Sequence, residues 1–477
     1  MYPKLLKILG KISKDTKTHV YVVGGYIRDK LLGRKDSQDI DLVVEGDGIL
    51  VAKKFAEAVG EEAGTLVEFT GFHTARFVFT HGEYAGYEIE FATSRAESYR
   101  ETSRKPTVTP ASIEEDLSRR DFTVNAMAKR IEPTGRLGAL LDPFHGKKDL
   151  QHHILRTPLE PTETFTDDPL RILRAARFAA QLQFSIDPTT LQAMHVARQR
   201  LKIISAERIQ EELMKLLATK QPSIGLVLLH TTQVLYIILP EISALAGVEE
   251  VFGYKHKDNL FHTFAVVDNI AMQSEKPLLR FAGLMHDIAK PNTKRFVRGR
   301  GWTFDMHEHV GKKMTNEIGR RLRMSVSDIR YVAKLVRWHL QPIALMDEGI
   351  TDSAVRRLIV NLGDDLTDLL ILCRSDVTTG NQKKKERRLK NYDILGKRIA
   401  EVIEKDKLRA FQSPLRGEEI MAFAGLKPGP TVGKIKDAIE EAILEGEIPN
   451  EYEAAKEYFF KIKDQYLEKA EKWEKIN

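Results

Sequence analysis

The sequence predicts an α+β fold in which a small mixed sheet is followed by a long α-helical body. Strand signals are confined to the first part. His19 to Val23 is a β-branched run that Gly24 and Gly25 stop, and a helical segment follows at Tyr26 to Leu32. From about Asp167, apolar residues at helical spacing dominate to the end of the chain. Three further strands are predicted at residues 40–44, 75–80 and 87–92.

Length and composition exclude several classes of protein. The chain has 477 residues, a length typical of three or so domains, and 42% hydrophobic with 30% charged residues indicates a globular protein. Its net charge of +6 permits a polyanionic partner but does not require one. Cys373 is the single cysteine, so an internal disulfide framework and a structural zinc site with two or four cysteines are excluded. No signal peptide or run of ~20 apolar residues is found, so we expect a cytoplasmic protein without a membrane partner.

Gly24 and Gly25 follow the first predicted strand, and Arg28 lies on the next helical turn. Glycines allow a backbone to approach an anion closely, a helix N-terminus offers free N–H groups, and an arginine adds a charge-assisted hydrogen bond. The arrangement therefore suits a bound phosphate. A glycine pair between a strand and a helix also forms ordinary turns, so this segment alone does not establish a phosphate site.

Asp39 and Asp41 flank Ile40 on the second predicted strand, which places both carboxylates on one face. Two acids so close repel each other unless a cation lies between them, and Mg²⁺ is typically bound by a few carboxylates together with substrate phosphates. A solvent-facing strand is the alternative. Glu88 and Glu90 share a face of a later strand, and Glu90 is a candidate third carboxylate. The succession of these segments predicts a metal and triphosphate site.

Asp168 and Arg171 lie three residues apart at the start of a predicted helix and share one of its faces. A carboxylate beside a guanidinium presents an acceptor next to donors, which suits the amino group and adjacent ring nitrogen of cytosine or adenine. Uracil and guanine place a carbonyl against the carboxylate, and an unpaired buried acceptor costs ~1–3 kcal/mol. The pair is predicted to select C and A; a helix cap with a surface ion pair is the alternative.

Histidine and aspartate residues recur through the helical body. The dipeptide His286-Asp287 follows the predicted apolar helix Leu278 to Met285. Imidazole and carboxylate groups suit a divalent transition metal or Mg²⁺, whereas a set of hydrogen-bonded core histidines is the alternative. The other members of the series are His262, His307, His339 and Asp376.

The segments Val22 to Asp29, Asp39 to Val43, Arg119 to Ala126 and Asp142 to Gly146 form a long, ordered set of motifs. This set resembles the head of the class II tRNA nucleotidyltransferase and bacterial poly(A) polymerase superfamily. The resemblance implies two Mg²⁺ ions on catalytic Asp39 and Asp41, one activating an RNA 3′-hydroxyl and one stabilising the leaving pyrophosphate. The nucleotide-binding residues that it implies are Gly24, Gly25, Arg28, Arg120, Asp121, Asn125, Asp168, Arg171, Arg174 and Arg177.

Two later resemblances extend the first. Asp167 to Arg171 is similar to the family's Glu-Asp-x-x-Arg motif, which reads the incoming nucleotide without a template, although its first acid is one methylene shorter here. Ser205 to Leu213 is similar to the last neck motif, whose Glu207 and Arg208 are expected to brace the helices.

The order His…His-Asp…His…His…Asp resembles the HD-domain phosphohydrolases, and such a site would give phosphatase or cyclic phosphodiesterase activity. The metal ligands that this implies are His262, His286, Asp287 and Asp376, with His307 and His339 for a second metal.

These motifs divide the chain into four predicted domains. Residues 1–150 form the nucleotidyltransferase head, 151–240 a helical neck with the base-recognition motif, 241–380 an HD phosphohydrolase-like domain and 381–477 a helical tail that contacts tRNA. The basic run Asn381 to Lys390 marks a candidate boundary. Such runs attract RNA, but they are also common on solvated helix faces.

The leading hypothesis from the sequence is template-independent addition of CCA to the 3′ end of tRNA. The expected partners are tRNA, CTP and ATP, with Mg²⁺ in the head and a divalent metal of unknown identity in the HD site. An alternative of the same class is an enzyme that adds only A, either as the last residue of CCA or as a poly(A) tail. An alternative of another class is an HD phosphohydrolase with a nucleotide-binding head, against which the paired Asp39 and Asp41 argue. The oligomeric state is left open, a homodimer included.

Overall fold

The structure, a computed structural model, describes residues 3–34, 38–100, 103–251, 254–255, 258–346, 351–406 and 414–475. The chain forms two compact units, Met1–Leu284 with Glu317–Ser325 and Met285–Asn316 with Val326–Asn477. Within the ranges above, no helix has both the length and the apolar composition that crossing a bilayer requires.

A seven-stranded mixed sheet forms the centre of the first unit. Its strands are β1 (His19–Val23), β2 (Asp39–Glu45), β3 (Gly64–Phe69), β4 (Thr74–Phe79), β5 (Glu88–Thr93), β8 (Ala128–Ile131) and β9 (Leu137–Leu141). The order is β3-β4-β5-β2-β1-β8-β9. All neighbours are antiparallel except β2 and β5. This parallel pair places Asp39 opposite Glu88 and Asp41 opposite Glu90.

Helices of the same unit cover one face of the sheet. Phe55 packs against Phe77 and Phe91, with ring centroids 5.6 and 5.4 Å apart, in a core shared by the sheet and the first three helices. Burying these aromatic rings supplies much of the apolar area that holds the sheet in place. The elements that accompany the sheet are α1 (Pro3–Thr16), α2 (Gly25–Leu31), α3 (Gly48–Val59), β6 (Arg95–Arg100), β7 (Ser103–Pro110) and α4 (Ile113–Ser118).

A succession of mostly short helices follows the sheet. Their bounds, with four two-residue strands, are α5 (Gly146–His152), β10 (Ile154–Leu155), α6 (Pro161–Asp167), α7 (Leu170–Leu182), β11 (Ser185–Ile186), α8 (Pro188–Ala197), α9 (Ala206–Leu217), α10 (Pro222–Thr231), α11 (Val234–Ile238), α12 (Pro240–Ser243), β12 (Glu250–Val251), β13 (Tyr254–Lys255) and α13 (Asn259–Ala271). Helix α7 packs against α9 and α10. Gly225 in α10 allows this close approach, because a Cβ there would lie 2.6 Å from the carbonyl oxygen of Ala176.

The described residues of the second unit form helices, one short hairpin and an isolated β-bridge between Leu426 and Lys475. Its core includes Ile435 and Ile439 of one helix packed with Ile420 and Phe459 of two others. The elements from the end of the first unit onward are α14 (Pro277–Met285), α15 (Lys290–Thr293), β14 (Arg295–Val297), β15 (Gly301–Thr303), α16 (His307–Arg321), α17 (Val326–Trp338), α18 (Gln341–Ala344), α19 (Asp352–Leu362), α20 (Leu366–Ser375), α21 (Gln382–Asp406), α22 (Gly417–Ala424), α23 (Pro430–Glu445) and α24 (Tyr452–Leu467).

The predicted fold class is confirmed, with differences in detail. Strand β1 has its predicted bounds, and β2, β4 and β5 each lie within one residue of theirs. Strands β3, β8 and β9 were not predicted, and the two-residue strand β11 and the hairpin β14–β15 show that strands do not cease at Asp167. Helix α21 begins at Gln382, within the basic run Asn381 to Lys390, because lysine, arginine and glutamate favour helix. The run as a domain boundary stays a prediction.

Candidate functional site

The paired carboxylates lie on β2 beside a third acid on β5. Asp39 and Asp41 are exposed on one face, and Ile40 between them is fully buried on the other. Glu90 lies opposite Asp41, and its Oε2 accepts a 3.0 Å hydrogen bond from Arg76 Nη2. Protein atoms crowd Asp41 although solvent reaches it, so desolvation and the Asp39 and Glu90 charges raise its pKa; desolvation also raises the pKa of Asp39. Such clustered oxygen ligands fit Mg²⁺.

The glycine turn lies directly beside this acidic face. Gly24 has a φ of 68°, a left-handed conformation that glycine adopts without strain. A Cβ at Gly24 would lie 3.0 Å from Arg120 Nη1 and 3.5 Å from Asp41 Oδ2. The turn therefore brings bare backbone between a guanidinium group and a carboxylate, which is where a phosphate bound to a metal ion would fit.

A chain of hydrogen bonds runs from helix α2 to helix α7. Arg28 Nη1 donates to Asn125 Oδ1 at 2.7 Å, and Asn125 Nδ2 donates to Asp121 Oδ1 at 2.9 Å. The other Asp121 oxygen lies 2.6 Å from Arg174 Nη2. Burial raises the pKa of Asp121, but the Arg174 charge and the Asn125 amide outweigh it and lower the pKa to about 2. Asp121 is therefore ionised at neutral pH and holds this chain in one arrangement.

Phe178 of α7 lies beneath three guanidinium groups. The distances from the guanidinium carbon to the ring centroid are 5.3 Å for Arg28, 5.3 Å for Arg174 and 4.1 Å for Arg177. These distances are within the cation–π range of about 6 Å. Arg177 is also held by Glu212, whose Oε2 accepts a 2.7 Å hydrogen bond from its Nε. One aromatic ring thus supports cations from both α2 and α7.

The predicted base-reading residues stand at the start of α7. Arg171 donates to the carbonyl oxygens of Arg119 and Thr164, at 2.6 and 3.3 Å. Asp168 Oδ1 accepts a 3.2 Å hydrogen bond from the first N–H of α7, and its Oδ2 lies 3.6 Å from Arg208 Nη2. Backbone groups therefore orient Arg171, while Asp168 is fixed by the helix start and a second arginine.

One cavity of about 540 Å³ brings the predicted head and neck residues together. Its lining contains eight arginines against six carboxylates, and Glu90 is one of the acids. The arginines suit a polyanion such as a triphosphate, and the acids on β2 suit the metal that accompanies it. The predicted residues in the lining are Gly24, Gly25, Arg28, Asp39, Asp41, Arg120, Asp121, Asn125, Asp168, Arg171, Arg174 and Arg177.

Several lining residues were not predicted as part of this site. Arg208, expected to brace the helices, lines the cavity and contacts Asp168. Arg95, Arg119 and Phe178 also line it. For Phe178 the sequence carries a usable signal, because an aromatic residue one turn after an arginine on a helix can lie under its guanidinium group.

Asp287, His307 and His339 form a buried cluster in the second unit, with ligand atoms within 4.8 Å of one another. Nδ1 of each histidine contacts a carbonyl oxygen, Phe304 O at 2.8 Å and Val336 O at 2.7 Å, so each Nε2 carries the lone pair. The two Nε2 atoms are 3.2 Å apart, and Asp287 Oδ1 lies 3.3 and 3.9 Å from them. Burial lowers the pKa of His339 to about 4, which keeps its ring neutral. Three converging electron-pair donors fit a divalent metal.

His286 and Asp376 adjoin this cluster. His286 Nε2 lies 3.2 Å from Asp287 Oδ2 and 3.7 Å from Asp376 Oδ1. Burial lowers the pKa of His286, but the two carboxylates outweigh it and raise the pKa to about 10. The negative charge of the two carboxylates, which favours a proton on His286, also favours a metal cation at this position. His262 lies on α13 in the first unit, and its role as a ligand stays a prediction.

Three family models match the chain. The Poly A polymerase head domain matches residues 20–156, the probable RNA and SrmB-binding site of polymerase A residues 183–245, and the HD domain residues 259–379. A head of this kind, with paired carboxylates facing an arginine-lined cavity, makes the chain a nucleotidyltransferase.

Comparison with similar proteins identifies the family within the nucleotidyltransferases to which the chain belongs. The chain is 32% identical over 446 residues to the A-adding tRNA nucleotidyltransferase of Deinococcus radiodurans, covering 91% of this chain and 93% of that relative. It is 37% identical over 325 residues to the Multifunctional CCA protein of Paraburkholderia phytofirmans, covering 67% and 74%. A solved CCA-adding enzyme in complex with CTP has a TM-score of 0.61 at 25% identity, covering 96% of this chain and 95% of its own. The chain belongs to the tRNA nucleotidyltransferase family.

Proposed function

We propose that this enzyme adds CCA to the 3′ end of tRNA from CTP and ATP, in the cytoplasm. The observation that carries the proposal is that paired carboxylates, glycine turn and base-reading residues line one cavity. Residues 1–150 would supply the chemistry, 151–240 the base selection, 241–380 a second metal site and 381–477 contacts to tRNA. Whether the enzyme acts as a homodimer stays a prediction.

Each part of the cavity has a proposed task. Asp39 and Asp41 would hold Mg²⁺, which lowers the charge on the phosphates and favours attack by the RNA 3′-hydroxyl. Arg28 and Arg120, beside the glycine turn, bind the triphosphate. Asp121, with the amide of Asn125, orients the ribose. The carboxylate and guanidinium at the start of α7 accept and donate hydrogen bonds at the base edge, which favours C and A over U and G.

The test uses the purified full chain, Mg²⁺ and tRNA that ends before CCA. With CTP and ATP together we expect two C residues and one A, and with CTP alone only C residues. A long A tail, or no addition of C, would contradict the proposal. Asp168→Ala is expected to relax the discrimination against UTP before it abolishes turnover, because the acceptor at the base edge is lost. Unchanged discrimination would refute the assignment of Asp168.

Addition of A alone is the second candidate function. The observation that favours it is the similarity, over nearly the whole length of both chains, to a relative named as an A-adding tRNA nucleotidyltransferase. The experiment above separates the two with a second substrate, tRNA that already ends in CC. An A-only enzyme extends this tRNA and leaves tRNA without CC unchanged, whereas a CCA-adding enzyme extends both.

We further propose that the second unit hydrolyses phosphate esters such as 2′,3′-cyclic or 3′-phosphorylated ends. The converging Asp287, His307 and His339 support this, because a metal held there would polarise a phosphate and lower the pKa of bound water. Asp41→Ala should abolish nucleotide addition and retain hydrolysis of a 2′,3′-cyclic nucleotide. Asp287→Ala should do the reverse. If either variant loses both activities, the two sites are not independent.

A further inference from the structure

A second, smaller cavity adjoins the nucleotide cavity on the side of helix α9. It has a volume of about 320 Å³ and is lined by Arg177, Gln181, Lys215, Ala218 and Thr219. Arg177 and Gln181 line both cavities, so the two spaces share a wall. The smaller cavity, here called the annex, lies at the lower end of the range of roughly 300–1,000 Å³ for small-ligand sites.

Two positively charged side chains line the annex, and they differ in how firmly they are held. Arg177 is fixed, because its Nε donates to Glu212 Oε2 at 2.7 Å and its Nη1 to Gln181 Oε1 at 3.2 Å. Lys215 is more adaptable: half of its side chain is exposed, and its Nζ lies 2.6 Å from Glu211 Oε1. An exposed ion pair of this kind contributes little stability. The ammonium group can therefore turn from Glu211 to a phosphate at small cost.

The annex also adjoins the acids on β2 through the larger cavity. Arg177 and Gln181 form the shared wall, and the lining of the larger cavity includes Asp39 and Asp41. Lys215 faces the annex from α9. A ligand bound in the annex would therefore lie beside the cavity that an RNA 3′-hydroxyl has to enter.

We propose that the annex binds a phosphodiester of the tRNA strand immediately before its 3′ end. This inference rests on the proposed nucleotidyl transfer. The triphosphate of the incoming nucleotide is accounted for elsewhere, by the glycine turn with Arg28 and Arg120. A phosphate between Arg177 and Lys215 would be paired with a rigid and a mobile cation, and the amide of Gln181 can donate to its oxygens or to a ribose hydroxyl. The strand would thereby be held while its last hydroxyl faces Asp39 and Asp41.

The test compares Lys215→Ala with Lys215→Arg and with Lys202→Ala, an exposed lysine of the same unit that lines neither cavity. Binding of tRNA that ends before CCA is measured by fluorescence anisotropy in EDTA at several salt concentrations, and KM is measured separately for tRNA and CTP. For Lys215→Ala we expect tRNA affinity to fall about 3–10-fold. We also expect the slope of log affinity against log salt to decrease in magnitude by about one. The KM for CTP should not change.

Lys215→Arg should restore most of the affinity, and Lys202→Ala should resemble the wild type. Wild-type tRNA affinity and salt slope in Lys215→Ala would overturn the inference, and a rise in the KM for CTP alone would assign the annex to the nucleotide instead. Failure of the proposed function looks different, because the wild-type enzyme itself would then add no nucleotide to tRNA.

Discussion

At the scale of single residues, Gly24 shows how backbone conformation and chemistry meet in one position. Its positive φ and the short distances that a Cβ would have to Arg120 and Asp41 are separate constraints. The first makes any other residue strained, and the second would make a side chain compete for space with the phosphate that is proposed to bind there. Gly33 has the first constraint without the second, since its φ is 67° and a Cβ there would meet nothing within 4 Å.

Gly24→Ala is therefore expected to reduce kcat/KM for nucleotide addition more than 10-fold. Gly33→Ala carries a similar strain of about 1–2 kcal/mol but should leave kcat/KM nearly unchanged. Steady-state kinetics together with thermal unfolding of both variants checks this. Equal losses of activity in the two variants would mean that strain alone, and not the space beside Arg120 and Asp41, explains the effect.

Asp121 gives a prediction about pH. Its pKa is about 2 in the folded protein against 3.8 for the unperturbed group, so its stabilising effect is full above about pH 4 and is lost as the pH falls toward 2. The difference corresponds to about 2 kcal/mol. The free energy of unfolding of Asp121→Asn should be lower than that of the wild type by about 2 kcal/mol at pH 7. This difference should narrow below pH 4.

Urea unfolding between pH 7 and pH 3 measures this gap. Asp464→Asn, which changes an exposed carboxylate, serves as the control and should follow the wild type at every pH. A gap between Asp121→Asn and the wild type that stays constant with pH would contradict the prediction.

At the scale of elements, helix α7 links the predicted base-reading residues to the proposed triphosphate side through Phe178. Phe178→Leu keeps an apolar side chain against Phe122 but removes the ring beneath three guanidinium groups. A cation–π contact is worth about 0.5–1 kcal/mol at an exposed site and about 2 kcal/mol when it is shielded from water, as the contact of Arg28 is here. We expect the KM for CTP and ATP to rise several-fold. Phe165→Leu, a buried change that does not line the cavity, should lower stability with little effect on that KM.

Steady-state kinetics at saturating tRNA gives both KM values, and thermal unfolding monitors stability. If Phe165→Leu raised the KM for CTP as much as Phe178→Leu does, general loosening of the fold would be the better explanation.

The sequence predicted several strands and site residues, but it did not predict contacts between residues far apart in the chain. Local alternation and turn residues were enough for β1, β2, β4 and β5, because each of these strands carries its own apolar pattern. The placement of Asp39 and Asp41 on one face of β2 could be predicted from the same alternation. The contact of Arg208 with Asp168 and the parallel pairing of β2 with β5 depend on residues 40 and 49 positions apart, which local patterns do not encode. For the basic run Asn381 to Lys390, the structure shows the helix face that the sequence left as an alternative to an RNA contact.

At the scale of the whole molecule, the two units carry separate candidate metal sites. In an enzyme with Asp41→Ala, which weakens the head site, added Mn²⁺ should still raise the unfolding temperature by a few degrees. A metal that binds only the folded state at 100 times its dissociation constant stabilises by about 2.7 kcal/mol. Asp287→Asn in the same background should remove the rise, because it removes the carboxylate that faces His307 and His339.

Differential scanning fluorimetry with and without metal measures this shift. Asp368→Asn is the matched control, since it changes a buried carboxylate of the second unit that is bonded to Tyr331 at 2.8 Å instead of to the histidines. An unchanged metal effect in Asp287→Asn would place the bound ion elsewhere.

The sharing of one aromatic ring by three cations has a consequence for fidelity. If a nucleotide that does not fit displaces Arg174, which lines the same cavity as the predicted base-reading pair, the displacement would pass through Phe178 to Arg28 on the proposed triphosphate side. A wrong nucleotide would then bind with its phosphates out of line, so the enzyme would reject it mainly by reacting slowly with it. Single-turnover rates, more than binding constants, should therefore separate CTP and ATP from UTP and GTP.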